Sequence, residues 1–340
     1  MRLSRYIIRR LLLVIPVLIG VSLIIFALTR ATGDPGAAYV TDRMNQNQID
    51  AIYEKYHLND DVVTQYVYWA QGIVQGDWGW SKSAVEPVSS AIMDKFPATF
   101  ELALVSITIG VFIGIGLGSR SAVKKNKPFD HSTRIISLLG VSIPIFWLGL
   151  ILLLVFYNDL HWFPLRGRLD DAYYINGLDP NGPTGFMLFD TLWAGNVDMF
   201  LNAAWHLILP SVTLAFASVA LILRIQRNSM LEVLGLDYIR TARAKGLSER
   251  AVVKKHARKN ALIPTTTVVG LSFGSLLGGA VLTESIFKWP GLGRWSAESI
   301  ARMDSSSILG FCLFVALIYV IVNLAVDILY AYLDPRVRLG

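Results

Sequence analysis

The chain has 340 residues, is 54% hydrophobic and only 16% charged, and has a mean hydropathy of +0.49. A soluble domain is about 45–50% apolar and about 25% charged, so this composition excludes an ordinary water-soluble enzyme, a disordered chain, a collagen-like repeat and a disulfide scaffold. The net charge of +6 would suit nucleic acid, but in a membrane chain basic residues set orientation, and their placement decides between the two.

A bilayer core about 30 Å thick needs about 20 mostly apolar residues per helix. Six charge-free windows approach that length: Leu11–Thr29, Leu102–Gly118, Ile135–Tyr157, Leu207–Leu223, Ala261–Thr283 and Ser307–Val326. The first follows Arg2, Arg5, Arg9 and Arg10. Its length exceeds the roughly 7–15 residues of a signal-peptide core, so it reads as a retained span.

Between the first two spans, residues 31–98 are long enough to fold. Ile49, Ile52, Tyr53 and Tyr56 mark one helical stripe over Gln48–His57, and Val63, Tyr66, Val67 and Ala70 mark another over Val62–Val74. With Trp69, Trp78 and Trp80 nearby, this segment reads as a helical cap at the interface or as a contact surface for cargo or an outside protein. Gly110, Gly114 and Gly118 in the second span, and Gly270, Gly274 and Gly278 in the fifth, are spaced by four. That spacing puts each set on one helix face and predicts close helix packing. Pro16, Pro144, Pro210 and Pro264 predict kinks.

The loop 158–205 contains the turn formers Gly177–Pro183 and the charges Arg166, Arg168, Asp170 and Asp171, each either solvated or a contact. Asp190 and Asp198 interrupt Phe186–Leu201, which reads as an interfacial or buried surface helix. In the loop 224–260, Leu236–Gly246 reads as a short helix with Asp237 at its start and Gly246 as its stop, and Ser248 caps a second helix. This loop is either a docking surface or a solvated basic segment that fixes topology. Cys312 lies in an apolar run and reads as a small core residue.

With the N-terminus inside, the segments 1–10, 119–134, 224–260 and 327–340 hold twenty-one of the thirty-one Lys and Arg residues. Positive loops stay cytoplasmic, so both termini are expected inside, and no nucleic-acid partner is expected. Glu101, Glu284, Asp327 and Arg224 sit at span ends, and no charge lies at mid-span. That argues against a proton relay or voltage sensor. It favours a pathway lined by neutral polar residues such as Ser142, Thr213, Ser218, Thr267, Ser272 and Ser275. The sequence has no GxxxxGK[ST] loop, HExxH, CxxC or GxSxG. It is therefore expected not to be an enzyme and to hold no metal or cofactor of its own.

The run Glu232–Ser248, with Asp237, Tyr238, Arg240, Thr241, Ala242, Arg243, Ala244, Lys245 and Gly246, and then His256–Pro264, resembles the cytoplasmic loop of binding-protein-dependent ABC importer permeases. Ile8–Arg10, Gly33–Pro35, Tyr56–Asp60, Gly76–Gly79, Glu284–Gly293 and Leu333–Arg338 extend the resemblance over nearly the whole chain, within the dipeptide/oligopeptide permease family. Thr184–Met187 is similar to the dipeptide branch, whereas Asp61 stands where the family often has proline.

The resemblance implies an all-α integral membrane protein of the type I importer fold in a prokaryotic inner membrane, with six transmembrane helices. Its expected parts are a tail and first span (1–30), an extracytoplasmic helical domain (31–98), a permease core (99–335) and a cytoplasmic tail (336–340). It implies a second homologous permease subunit, two cytoplasmic ATPases that bind ATP and Mg, an extracytoplasmic binding protein, and membrane lipid. It places a coupling helix at about Asp237–Gly246. The implied cargo is di- or oligopeptides. Similar machines move oligosaccharides, glutathione or nickel, and the other classes are an ATP-independent channel or secondary transporter, or a scaffold.

Overall fold

The computed structural model describes residues 3–32, 36, 40, 44–175 and 182–333. The terminal motif after Leu333, Gly33–Pro35 and most of the Gly177–Pro183 turn lie outside the described residues.

Helix α1 (Leu3–Thr32) carries the first span and is followed by two short helices, α2 (Gln46–Lys55) and α3 (Val62–Gln75). Asn45 and Gln48 form a capping box at the start of α2. Asp61 caps α3 by accepting from the Val63 and Thr64 backbone N–H groups, both at 3.1 Å, which is the work a short carboxylate does at this position. A two-stranded hairpin, β1 (Trp80–Ser81) against β2 (Glu86–Pro87), then leads into α4 (Val88–Val123). At 36 residues α4 is about 54 Å long, well beyond a bilayer core, so its first turns project outside. The expected domain boundary at 98/99 falls inside this helix.

The third window is not one straight span. Helix α5 (Pro128–Ser142) ends before Ile143-Pro144, and α6 (Ile145–Leu152) with its π-helical continuation Leu153–Asp159 leaves at 103°. Pro144 favours an extended residue before it, and Ile143 has ψ 126. After α7 (Asp171–Ile175) and α8 (Met187–Trp193) comes α9 (Val197–Leu234), whose 38 residues carry the fourth span. The fifth window also breaks. Helix α12 (Arg258–Leu277) stops at Gly278-Gly279, where Gly279 has φ +98, before α13 (Val281–Ile286) and α14 (Leu292–Ala301). Helix α15 (Ser305–Leu333) is the last span. Among the described residues, five helices are long and apolar enough to cross a membrane, and the bent α5–α6 pair makes a sixth candidate.

Both glycine rows face another span within the chain. A Cβ on Gly110 would stand 3.0 Å from Ser218 Cβ, one on Gly114 2.8 Å from Ile222, and one on Gly118 2.7 Å from the Leu223 carbonyl oxygen. Small residues every four positions thus let α4 press against α9 along three successive turns. Likewise, Gly270 faces Val326, Gly274 faces Tyr319 and Val322, and Gly278 faces Val315, seating α12 on α15.

Outside the membrane, Asp304 ties the hairpin to the start of α15. It is fully buried and accepts from the Ser83 backbone N–H at 2.8 Å and from the Ser307 hydroxyl at 2.6 Å.

Candidate functional site

Helix α10 (Asp237–Ala244) spans two turns between α9 and α12. Ile239 and Ala242, three residues apart, form its buried side. They pack with Met230 and Val233 of α9, Ala122 of α4, and Val252, Ala257 and Ala261 on the way into α12. Asp237, Tyr238, Arg240, Thr241, Arg243, Ala244, Lys245 and Gly246 are exposed. Ala242 therefore belongs to the inner face, not to the expected docking face, because the 3.6-residue period puts it beside Ile239.

The helix stops as its sequence dictates. Gly246 has φ +78, and its N–H donates to the Arg243 carbonyl at 2.9 Å. The next helix follows at once: Ser248 accepts from Ala251 N–H in α11 (Glu249–Ala251). A π-helical turn, Val252–Ala257, joins α11 to α12. Such turns are frequent at functional sites.

Two side-chain ties hold α10 to this assembly. Arg243 donates to both Glu249 carboxylate oxygens, at 3.0 and 2.7 Å. Asn260 Nδ2 donates to the Tyr238 hydroxyl at 2.7 Å. The ionic pair is exposed (41% and 56%), so it contributes at most about 1 kcal/mol. Complete burial of Ile239 contributes more, about 1.5–3 kcal/mol. Ile239 and Ala242 thus join α10 to the ends of α4, α9 and α12.

Behind α10 lies polar bracing that sequence reading missed. Asp130 in the first turn of α5 is fully buried. Arg227 of α9 grips it with both ends of its fork, at 2.6 and 2.8 Å. The Ser121 hydroxyl and the Asn126 backbone N–H also donate to this carboxylate. Deeper, Thr265 of α12 donates to Gln226 Oε1 at 2.7 Å, and Gln226 Nε2 donates to the Ser119 hydroxyl at 3.1 Å. These bonds tie α4, α5, α9 and α12 together near α10.

On the outer side, Arg168 is buried against Glu101 and donates to the Gly185 carbonyl at 3.1 Å. Sequence reading left Arg168 open as solvated or a contact; it anchors the 158–205 loop to α4. Glu284 is also fully buried. It accepts from Thr99 and from the Arg294 backbone N–H, both at 2.9 Å, at the start of α14. Burial pushes its carboxyl above the ordinary range.

The expected pathway residues do not gather. Thr213 is fully buried and donates to the Leu209 carbonyl at 2.8 Å. Ser218 is buried at the close contact with Gly110. Both fill helix contacts rather than line a passage, because a small hydroxyl there lets helices approach. Ser142 and Ser275 are exposed, while Thr267 and Ser272 are half-buried.

Residues 3–103 match the family "Binding-prot-dependent transport system membrane comp, N-term", and residues 110–339 match "Binding-protein-dependent transport system inner membrane component". The chain is 44% identical over 335 residues to the Di/tripeptide transport system permease protein DppB of Pseudomonas aeruginosa (strain UCBPP-PA14), covering 98% of each. It is 43% identical to the Probable D,D-dipeptide transport system permease protein DdpB of Escherichia coli (strain K12), covering 95% of this chain and 94% of that one. It is 39% identical to the Oligopeptide transport system permease protein AppB of Bacillus subtilis (strain 168), covering 98% and 99%. Among solved structures, the inward-facing MetNI methionine ABC transporter aligns with a TM-score of 0.51 at 17% identity, covering 72% of this chain and 96% of the other, and so shares the fold. With matches that take in both halves of the sequence and spans arranged as in an importer permease, the chain belongs to the family of binding-protein-dependent transport system inner membrane components and is a multi-pass permease subunit of an ABC importer.

Proposed function

We propose that this permease carries di- and oligopeptides inward, paired with a second homologous permease subunit, two cytoplasmic ATPases that hold ATP and Mg, and an extracytoplasmic binding protein. The observation that supports the cargo is that relatives 39–44% identical over almost the whole chain are named for di/tripeptide, D,D-dipeptide and oligopeptide transport. The exposed face of α10 is the coupling surface. ATP closes the two ATPases, they displace α10, and the buried contacts of Ile239 and Ala242 carry that displacement into α4, α9 and α12. The exposed Ser142 and Ser275 and the half-buried Thr267 and Ser272 are left to face a pathway completed by the second subunit.

The test is ATP hydrolysis by the chain isolated from its own membrane with its accompanying subunits, supplied with the binding protein and with either peptides or oligosaccharides. The expected result is stimulation by short peptides and none by sugars. Stimulation by sugars alone would replace the cargo reading. Absence of any accompanying ATPase would overturn the proposed partners.

A further inference from the structure

We propose that the groove between α5 and the inner part of α9 holds the headgroup of an anionic phospholipid of the cytoplasmic leaflet. The cavity encloses about 700 Å³. Lys125, Arg134 and Arg224 line it and are exposed, and none of them forms an ion pair among the described residues. Arg227 also lines the groove, but its charge is taken by Asp130, which is itself fully buried. Among the described residues no carboxylate lines the cavity, and three positive charges face it without compensation.

The same groove has an apolar wall. Ile135 and Leu138 lie one turn apart on α5 and are 59% and 62% exposed. They sit on the membrane side of the cations, because α5 enters its apolar window at Ile135. A phosphodiester at the cations with acyl chains along Ile135 and Leu138 satisfies both halves of the surface. Free phosphate or a nucleotide satisfies only the first. Guanidinium forks match phosphate oxygens in pairs, and basic pockets between helix ends at the cytoplasmic face are where anionic headgroups bind.

The Asp130–Arg227 pair gives the groove a fixed floor by joining α5 to α9. A second basic groove, between the end of α4 and α11, is lined by Arg120, Lys124, Arg250, Lys254 and Arg258 beside Glu249, whose carboxylate is already held by Arg243.

The experiment places the full chain, purified with its accompanying subunits, in mixed micelles of phosphatidylethanolamine and phosphatidylglycerol and counts retained lipid by native mass spectrometry. Wild type is expected to retain phosphatidylglycerol preferentially. Each guanidinium near an anionic leaflet contributes about fivefold, so the double change Arg134→Gln with Arg224→Gln is expected to weaken retention about twenty-five-fold. The variant with Arg134→Lys and Arg224→Lys is expected to keep most of it, which separates charge loss from misfolding.

Equal retention by the neutral double variant would overturn the proposal. Displacement of the lipid by inorganic phosphate at equal concentration would identify a phosphate site instead. Retention by the chain alone but not by the assembled transporter would identify the groove as a subunit contact, and would equally overturn it.

Discussion

Gly246→Pro is expected to lower uptake by about a hundredfold while leaving the chain in the membrane. Gly246 sits at φ +78 and its N–H closes the end of α10 on the Arg243 carbonyl. Proline fixes φ near −65° and has no N–H, a mismatch of about 3 kcal/mol or more. That corresponds to about a hundredfold fewer chains with α10 correctly presented. The spans themselves do not depend on Gly246, which is exposed and has open space around it. Gly246→Ala keeps the N–H and meets only the left-handed backbone cost of about 1–2 kcal/mol, so its loss of uptake is smaller. Transport assays read against immunodetected membrane protein check both. Uptake by the proline variant at wild-type rates would detach α10 from the mechanism.

The second large effect concerns Asp130 and Arg227. Removing one partner of a buried pair leaves a buried charge without compensation and costs about 3–5 kcal/mol. Arg227→Met leaves the fully buried Asp130 carboxylate with only the Ser121 hydroxyl and the Asn126 N–H. It is expected to reduce the detergent-resistant folded fraction strongly, by more than about a hundredfold in the folding equilibrium. The double variant Asp130→Leu with Arg227→Met removes both charges and is expected to recover most of that loss, since an apolar pair of similar size is often neutral. Thermal unfolding in detergent of the two singles and the double gives the coupling directly. If the double is no better than the singles, the pair is not the source of the stability.

The apolar windows were legible because hydrophobic length is a one-dimensional property. The glycine rows were legible for the same reason: spacing by four fixes a helix face whatever the partner. What that spacing could not give was the partner, and only the fold pairs Gly114 with Ile222 and Gly274 with Val322. The third window was legible as a span, but its bend was not, because its residues are uniformly apolar. The 103° bend comes from one proline and the extended Ile143 before it, and Pro144 was its only signal.

Polar bracing was hardest to see. Asp130 and Arg227 are 97 residues apart, and each stands in a segment where charge near a membrane end is ordinary. Arg168 and Glu101 are 67 residues apart and looked like loop and span-end charges. Nothing local distinguishes such residues from solvated ones; their partners arrive only with the tertiary fold. In α10, by contrast, the first-turn acid Asp237 and the glycine stop Gly246 are local and lie where the sequence placed them, although the N-cap is Leu236 and no side chain caps the helix. The exposure of the flanking residues is likewise set by one helical period, which also explains why Ala242 turns inward.

Cross-linking checks whether the exposed face of α10 is the surface through which ATP hydrolysis reaches the spans. Cysteine replaces the exposed Arg240 in a chain carrying Cys312→Ser, and a short reagent with one thiol-reactive arm and one photoactivated arm is applied in native membranes. One major adduct is expected, joining this chain to a nucleotide-hydrolysing subunit, with a yield that changes when ATP is trapped in that subunit. An adduct with a protein that binds no nucleotide, or a yield indifferent to ATP while uptake continues, would contradict it.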